Sequence, residues 1–201
     1  SQSAKHRIIL MHGWGADGHD LANIAYPISV RFPGAAFFAP NGPTPCKMNA
    51  TGREWFDIND RVNGPIEGRP TIDVALNAAL DALNLLPSAL ALVGFSQGGM
   101  MSLHCGLRQS PPIAAIISFS GSLLLYDDLT ESTIDTPYPP VMLIHGTQDE
   151  VVPFQLQAAS RDILQSRSIE VETIECVGLG HGIDPHGISM AIEFLARHLP
   201  A

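Results

Sequence analysis

Short apolar runs alternate along the chain with stretches in which apolar residues recur every three or four positions. Such runs are typical of strands that are buried on both faces of a sheet. They lie at 7–11, 35–39, 89–93, 113–119 and 141–145. A further segment, 170–176, alternates apolar and polar residues, which predicts a strand nearer a sheet edge. Because strands that alternate with helices form mostly parallel sheets covered on both faces, the pattern predicts an α/β fold.

Helical spacing separates these strands. It predicts helices over 21–28, 71–86 and 154–167, one directly after the 89–93 strand, and a last helix reaching about residue 199. Thr71 is expected to cap the second of them. Residues 44–69 instead hold prolines, glycines and isolated aromatics without periodicity, which predicts a long irregular lid or substrate loop. With 201 residues and no repeat or linker, we expect a single domain over 1–201.

The 89–93 strand runs into the following helix through Gly94-Phe95-Ser96-Gln97-Gly98. So short a passage forces a sharp turn, which pushes the central side chain off the sheet edge and aims the helix N-terminus at it. The turn therefore predicts that Ser96 is an exposed nucleophile. The alternative is a glycine-rich turn with an incidental serine.

A serine hydroxyl needs a base to accept its proton, and the base needs a partner that fixes its tautomer. Asp149 follows the 141–145 strand, and His181 follows the 170–176 strand within a glycine-rich loop. The order Ser96, Asp149, His181 is the order found in α/β-hydrolases. Because the carboxyl ends of parallel strands meet at one sheet edge, these side chains are expected to converge there.

Other histidines and acids occupy positions where a packing, capping or turn role is more usual than catalysis. The residues weighed against the proposed base and acid are His12, His104, His145, His186, His198, Glu150 and Asp184. His181 alone among the histidines combines a flexible loop after a strand with the expected order. His181, Asp184 and His186 also suggest a metal site, but no HExxH motif or paired carboxylate set accompanies them, so we expect no metal.

Acyl transfer creates an oxyanion, which needs hydrogen-bond donors, usually backbone N–H groups. One donor is expected from Gln97, the residue after the nucleophile. The second is expected from Trp14, in the glycine-punctuated loop 12–18 after the first strand. A tight turn into a helix is the structural explanation of the same loop, and both can hold together.

Composition narrows the classes of partner. The net charge of −9 argues against nucleic acid or an anionic membrane surface, and no apolar run is long enough to span a bilayer. The three cysteines, Cys46, Cys105 and Cys176, are widely spaced and form no CxxC motif, which fits reduced thiols better than disulfides. With no recognisable signal peptide, a cytoplasmic location is expected. The expected partner is a small-molecule or acyl ester substrate, and a homodimer stays open.

The residues resemble the carboxylesterase/acyl-protein thioesterase (phospholipase/carboxylesterase) family of α/β-hydrolases. The motifs that carry the resemblance are Gly94-Phe95-Ser96-Gln97-Gly98-Gly99, Met11-His12-Gly13-Trp14-Gly15, Trp55-Phe56-Asp57, His145-Gly146-x-x-Asp149-x-x-Val152-Pro153 and Gly180-His181. The resemblance implies an α/β-hydrolase fold in which Ser96, Asp149 and His181 form a triad, with Trp14 and Gln97 at the oxyanion hole. It also implies hydrolysis of short- to medium-chain esters, in some members thioesters, without a cofactor.

Substrate preference is expected to depend on the 44–69 segment, where Met48, Trp55 and Phe56 are candidate substrate-binding residues. Trp55 and Phe56 are the better candidates for packing on the core, and Met48 for touching an acyl chain, because its thioether adapts to varied shapes. Trp14 stands where the family usually has a leucine-like residue, which predicts a narrower groove mouth. Two other functions stay open: an acyltransferase or peptidase on the same triad, and a non-catalytic binding protein with this fold.

Overall fold

The computed structural model describes residues 4–135 and 137–200. Its strands are β1 (His6–Met11), β2 (Ala35–Phe38), β3 (Thr44–Pro45), β4 (Arg53–Glu54), β5 (Leu90–Phe95), β6 (Ala115–Phe119), β7 (Val141–Gly146) and β8 (Val171–Cys176). Its helices are α1 (Ala22–Arg31), α2 (Asn63–Asp81), α3 (Gln97–Gly106), α4 (Gln155–Ser166) and α5 (Pro185–His198), with a 3-10 turn at Pro87–Ala89. Among the helices of these two ranges, none is long and apolar enough to cross a membrane.

Six strands form a single parallel sheet in the order β2-β1-β5-β6-β7-β8. The α/β fold predicted from the alternation of strands and helices is therefore confirmed, and β8 lies at an edge as its alternating pattern predicts. The strand order reverses next to β1, because β1 pairs with β2 on one side and with β5 on the other. Ligand sites in such sheets form beyond the carboxyl ends of the strands at this switch point.

The core lies in two layers, one on each face of the sheet. Successive side chains of a strand point to opposite faces, so Ile9 and Met11 join the layer beneath α2 and α3, while Ile8 and Leu10 join the layer beneath α1 and α5. Strands buried on both faces read as continuous apolar runs. This explains why the pattern located them within a residue or two.

The segment 44–69 is more regular than its composition predicts. Its first part holds the short antiparallel hairpin of β3 and β4. The prediction that irregular chain continues to Arg69 and that Thr71 caps a helix is wrong, because α2 already begins at Asn63 and Thr71 lies within it.

Close packing explains why two glycines do not break α2. A Cβ on Gly64 would lie 3.0 Å from the Cβ of Phe56, and a Cβ on Gly68 would lie 2.8 Å from the Trp55 carbonyl oxygen. These glycines let the helix approach the chain after β4, and Pro70 is accepted inside the helix. Tertiary packing thus outweighs the local cost of the two glycines, which is about 1 kcal/mol each.

Candidate active site

Ser96 lies at the tip of the turn that joins β5 to α3. Its φ of 54° and ψ of −120° fall outside the regions that residues with a side chain ordinarily adopt. A Cβ on Gly94 would lie 2.2 Å from the Gly98 carbonyl oxygen, and a Cβ on Gly98 would lie 2.0 Å from the Met11 carbonyl oxygen. Glycine is therefore required on both sides of the serine, and the turn holds Ser96 above the sheet edge.

Hydrogen bonds join the three side chains that the strand order predicts to converge. His181 Nε2 lies 3.0 Å from Ser96 Oγ, and His181 Nδ1 lies 2.8 Å from Asp149 Oδ2. The carboxylate can only accept, so Nδ1 carries the proton and Nε2 is free to accept the proton of the serine hydroxyl. Two consecutive hydrogen bonds thus join a carboxylate, an imidazole and a hydroxyl, an arrangement that can work as orienting group, base and nucleophile.

The carboxylate of Asp149 is fully buried and surrounded by donors. Its Oδ1 accepts the N–H groups of Val151 and Val152 at 3.0 and 2.9 Å. Its Oδ2 accepts from His181 and also lies 3.3 Å from His145 Nε2, which donates to the Val152 carbonyl at 2.8 Å. Burial by itself raises the pKa of this carboxyl, but the hydrogen bonds from His181, Val152 and Val151 outweigh burial and hold the pKa below its ordinary value. Asp149 is therefore an anion that can stabilise a protonated imidazole.

The backbone N–H groups of Trp14 and Gln97 have no acceptor among residues 4–135 and 137–200. Gln97 begins α3, so its N–H belongs to the positive end of that helix. The loop that carries Trp14 lies against the serine, because a Cβ on Gly13 would be 3.5 Å from the Cβ of Ser96. Two free donors beside a nucleophile are what an oxyanion requires.

The Gln97 side chain has a role that sequence reasoning missed. Its Oε1 accepts the Trp55 N–H at 2.9 Å, and its Nε2 donates to the Phe56 carbonyl at 2.8 Å. The side chain thereby ties the chain after β4 to the turn that carries Ser96. No local signal could have identified this contact, because its partners lie 41 and 42 positions away.

The three candidate substrate-binding residues separate in the structure. Trp55 and Phe56 are only 2% and 3% exposed and belong to the core layer beneath α2 and α3. This placement agrees with the expectation that Trp55 and Phe56 pack on the core, and their role in binding substrate stays a prediction. Met48 lies in the turn between β3 and β4 with 79% of its surface exposed. The Trp14 indole, partly exposed, donates to the buried carboxylate of Glu54 at 2.7 Å.

Residues 181–186 are not arranged as a metal site. Asp184 caps α5 by accepting the Gly187 N–H at 2.7 Å, and it also accepts the Cys176 thiol at 3.3 Å. In the part of the chain that the structure describes, one trio of side chains, Glu170, Glu172 and His198, brings possible ligand atoms within 4.8 Å. It lies by the amino end of β8, and Arg197 already holds Glu172 through two 2.7 Å contacts. The trio is therefore separate from Ser96.

Comparisons with known proteins show the family to which this chain belongs. The model of the phospholipase/carboxylesterase family matches residues 1–199. Among curated proteins, acyl-protein thioesterase 1 of Gibberella zeae is 29% identical over 96% of this chain and 90% of its own length. Esterase YpfH of Escherichia coli K12 is 28% identical over 98% of this chain and 84% of its own.

Solved structures extend the likeness to three dimensions. Esterase PE8 is 36% identical, covers 98% of this chain and 94% of its own, and superposes with a TM-score of 0.91. Arabidopsis thaliana SOBER1, at 22% identity and a TM-score of 0.82, covers 98% of this chain and 100% of its own. At that identity the likeness concerns the fold alone.

Proposed function

This chain belongs to the phospholipase/carboxylesterase family of α/β-hydrolases, and we propose that it hydrolyses carboxylic esters through an acyl-enzyme on Ser96. The observation that carries the proposal is the unbroken line of hydrogen bonds from Ser96 through His181 to Asp149. Family membership supports a hydrolase. The line of hydrogen bonds supports a covalent mechanism in which each of the three residues has a separate role.

In the first half of the reaction, Ser96 Oγ attacks the ester carbonyl carbon while His181 Nε2 takes the hydroxyl proton. The carbonyl π electrons move to oxygen, and the N–H groups of Trp14 and Gln97 bind the resulting oxyanion. Asp149 stabilises the positive imidazolium that forms. The C–O bond to the leaving alcohol then breaks, and His181 returns the proton to that alcohol.

In the second half, water takes the place of the alcohol. His181 Nε2 accepts a proton from water, the hydroxyl oxygen attacks the acyl carbon, and the same two N–H groups bind the second oxyanion. The bond to Ser96 Oγ breaks, the carboxylic acid leaves, and Ser96 regains its proton. Ser96 and His181 are both partly exposed, so water reaches the site, which favours hydrolysis over transfer to another acceptor.

Short- to medium-chain acyl esters are the proposed substrates, and thioesters are the second candidate. The second candidate is supported by the likeness to acyl-protein thioesterase 1 over nearly the whole chain. Both substrates react by the same steps, because attack at the acyl carbon precedes departure of either an alcohol or a thiol. A series of p-nitrophenyl esters and matched thioesters from acetyl to decanoyl ranks the two classes directly.

Ser96→Ala tests the proposed nucleophile. We expect kcat to fall by roughly 10³-fold or more, since removing a triad member has an effect of that order. Stability should hardly change, because the hydroxyl lies at the tip of a turn rather than in the core. A fluorophosphonate should label the wild-type protein once and the variant not at all. Labelling of the variant at another serine would contradict the assignment.

Asp149→Asn is the matched test of the acid. It keeps the size of the side chain but removes the charge, so kcat should fall by a smaller factor than in Ser96→Ala, while fluorophosphonate labelling slows without disappearing. An unchanged kcat would exclude Asp149 from the mechanism.

A further inference from the structure

A second histidine, His12, lies beside the proposed oxyanion hole and takes no part in the proton transfers above. Its ring is completely buried and is packed against the Trp55 indole, with the ring centres 4.9 Å apart. Burying an imidazole ring costs free energy unless both of its nitrogen atoms are hydrogen-bonded. Both are, and the partners decide which nitrogen carries the proton.

The Gly42 N–H donates to His12 Nε2 at 2.9 Å, so Nε2 must present its lone pair. The proton of the neutral ring is therefore on Nδ1, and Nδ1–H donates to the Gly13 carbonyl at 2.7 Å. Burial lowers the pKa of His12, which keeps the ring neutral and this tautomer in place. The structure thus specifies one protonation state.

The acceptor of that hydrogen bond is half of a peptide group whose other half is the proposed oxyanion donor. The Gly13 carbonyl and the Trp14 N–H belong to the same planar unit, and in a trans peptide they point in opposite directions. A donor that holds the carbonyl on one side therefore directs the N–H to the other. The Ala16 N–H also donates to this carbonyl, at 3.2 Å, and the Trp55 indole N–H holds the His12 carbonyl at 2.7 Å. The two donors to the Gly13 carbonyl hold the peptide group that carries the Trp14 N–H, and the Trp55 bond holds the preceding peptide group, which joins His12 to Gly13.

We propose that His12 is a positioning residue of the oxyanion hole: its Nδ1–H holds the Gly13 carbonyl so that the Trp14 N–H points at the substrate oxygen. The inference rests on the acyl-transfer mechanism proposed above. The same bond polarises the peptide group, since hydrogen bonds in a chain strengthen one another, and so makes the Trp14 N–H a better donor. His12 never touches the substrate.

A pair of substitutions separates the two hydrogen bonds of the ring. His12→Asn keeps an N–H at the δ position, facing the Gly13 carbonyl, but loses the acceptor for Gly42. His12→Gln places its amide oxygen near the ε position, where it can accept from Gly42, but has no donor at the δ position. Each variant keeps one of the two hydrogen bonds, so a purely structural role of His12 predicts similar losses of kcat per active site in both variants.

If His12 positions the oxyanion donor, the two variants should lose kcat to different extents. Removal of one oxyanion donor lowers kcat by about 10²–10³-fold, and a misdirected donor costs a part of that. We expect His12→Gln to lower kcat by roughly 10–100-fold with KM changed less than about threefold, and His12→Asn to recover most of kcat. Rates are expressed per active site, counted by fluorophosphonate titration. The affinity for a trifluoromethyl ketone, which Ser96 converts to a hemiketal oxyanion, should fall in His12→Gln in proportion to kcat/KM.

The outcomes are distinct. If the wild-type protein reacts with neither ester nor fluorophosphonate, the proposed mechanism itself fails. If the wild type reacts and both His12 variants keep full kcat per active site, or lose it equally, the mechanism stands and the role of His12 is overturned.

A measurement on the unaltered protein covers the case in which a variant does not fold. Nitrogen-15 spectra should show His12 as the Nδ1–H tautomer, and this N–H proton should move downfield when the trifluoromethyl ketone binds. The shift is expected because the peptide group becomes more polarised when its N–H binds the oxyanion. The opposite tautomer, or an unmoved signal with the ketone bound, would overturn the inference.

Discussion

The Gln97 side chain links the chain after β4 to the turn that carries Ser96, and Gln97→Met isolates the energy of that link. Methionine has nearly the same length and a similar helix propensity, so the change leaves no large cavity and little cost in α3. The backbone N–H of residue 97 is retained. What is lost is the pair of hydrogen bonds to the Trp55 N–H and the Phe56 carbonyl, both buried.

The magnitude follows from the state of those two backbone groups. Each is left without a partner in a place that water does not reach, which costs about 1–3 kcal/mol per group. Partial relaxation of the loop reduces the sum, so the free energy of unfolding should fall by about 2–4 kcal/mol. For a chain of this size that corresponds to a Tm lower by roughly 5–15 °C.

Urea unfolding followed by tryptophan fluorescence measures the change, and hydrogen exchange at the Trp55 amide locates it. Gln157→Met is the matched control, because the Gln157 side chain is also buried and also serves two backbone groups, the carbonyls of Leu143 and Ile174, each at 2.9 Å. We expect a similar loss of stability in both variants. Faster exchange at Trp55 under native conditions, and a lower kcat/KM, should appear only in Gln97→Met.

Two results would contradict the proposed role of the Gln97 side chain. A Gln97→Met protein within about 0.5 kcal/mol of the wild type would mean that the two backbone groups find other partners. Equal exchange rates at Trp55 in the two variants would mean that the Gln97 side chain does not hold this segment.

Burial and the nearby charges of Arg108 and Arg69 lower the pKa of His104 to about 4. In the unfolded chain the pKa of a histidine is about 6.5, so the unfolded chain binds the proton at a higher pH than the folded protein does. The free energy of unfolding therefore falls as the pH drops from about 6.5 towards 4. In urea unfolding at pH 7 and pH 4.5, His104→Leu should lose about 1–3 kcal/mol less than the wild type over that interval, and parallel losses would contradict the assignment. Met48→Ala should lower kcat/KM by up to roughly 30-fold for long acyl chains and leave acetyl esters unaffected, since the apolar contact removed is worth about 1–2 kcal/mol at most. An equal loss at every chain length would show that Met48 supports the fold instead.

The α/β sheet and the residues that meet at its edge could be predicted from the order of apolar and polar residues. Strands buried on both faces must be apolar at almost every position, so they stand out without any knowledge of their neighbours. Ser96, Asp149 and His181 each need only to follow such a strand, because parallel strands bring their carboxyl ends to one edge. The turn around Ser96 could also be predicted, since glycine is needed on both sides of the serine, where any Cβ would collide with neighbouring backbone.

The start of α2 could not be read in this way. Glycine and proline each destabilise a helix locally, and the sequence pattern shows this cost without showing the contacts that offset it. The compensating contacts of Gly64 and Gly68 with Phe56 and Trp55 arise after the two segments have packed.

The groups that complete the site could not be predicted, because they come from segments that meet only after the chain has folded. The tautomer of His12 depends on the N–H of Gly42, 30 positions away, and the Gln97 side chain depends on Trp55, 42 positions away. Hydrogen bonds require donor and acceptor to lie about 2.7–3.2 Å apart in the right direction. No periodicity encodes a distance of that kind between remote residues, because it exists only once the packed sheet and helices have brought them together.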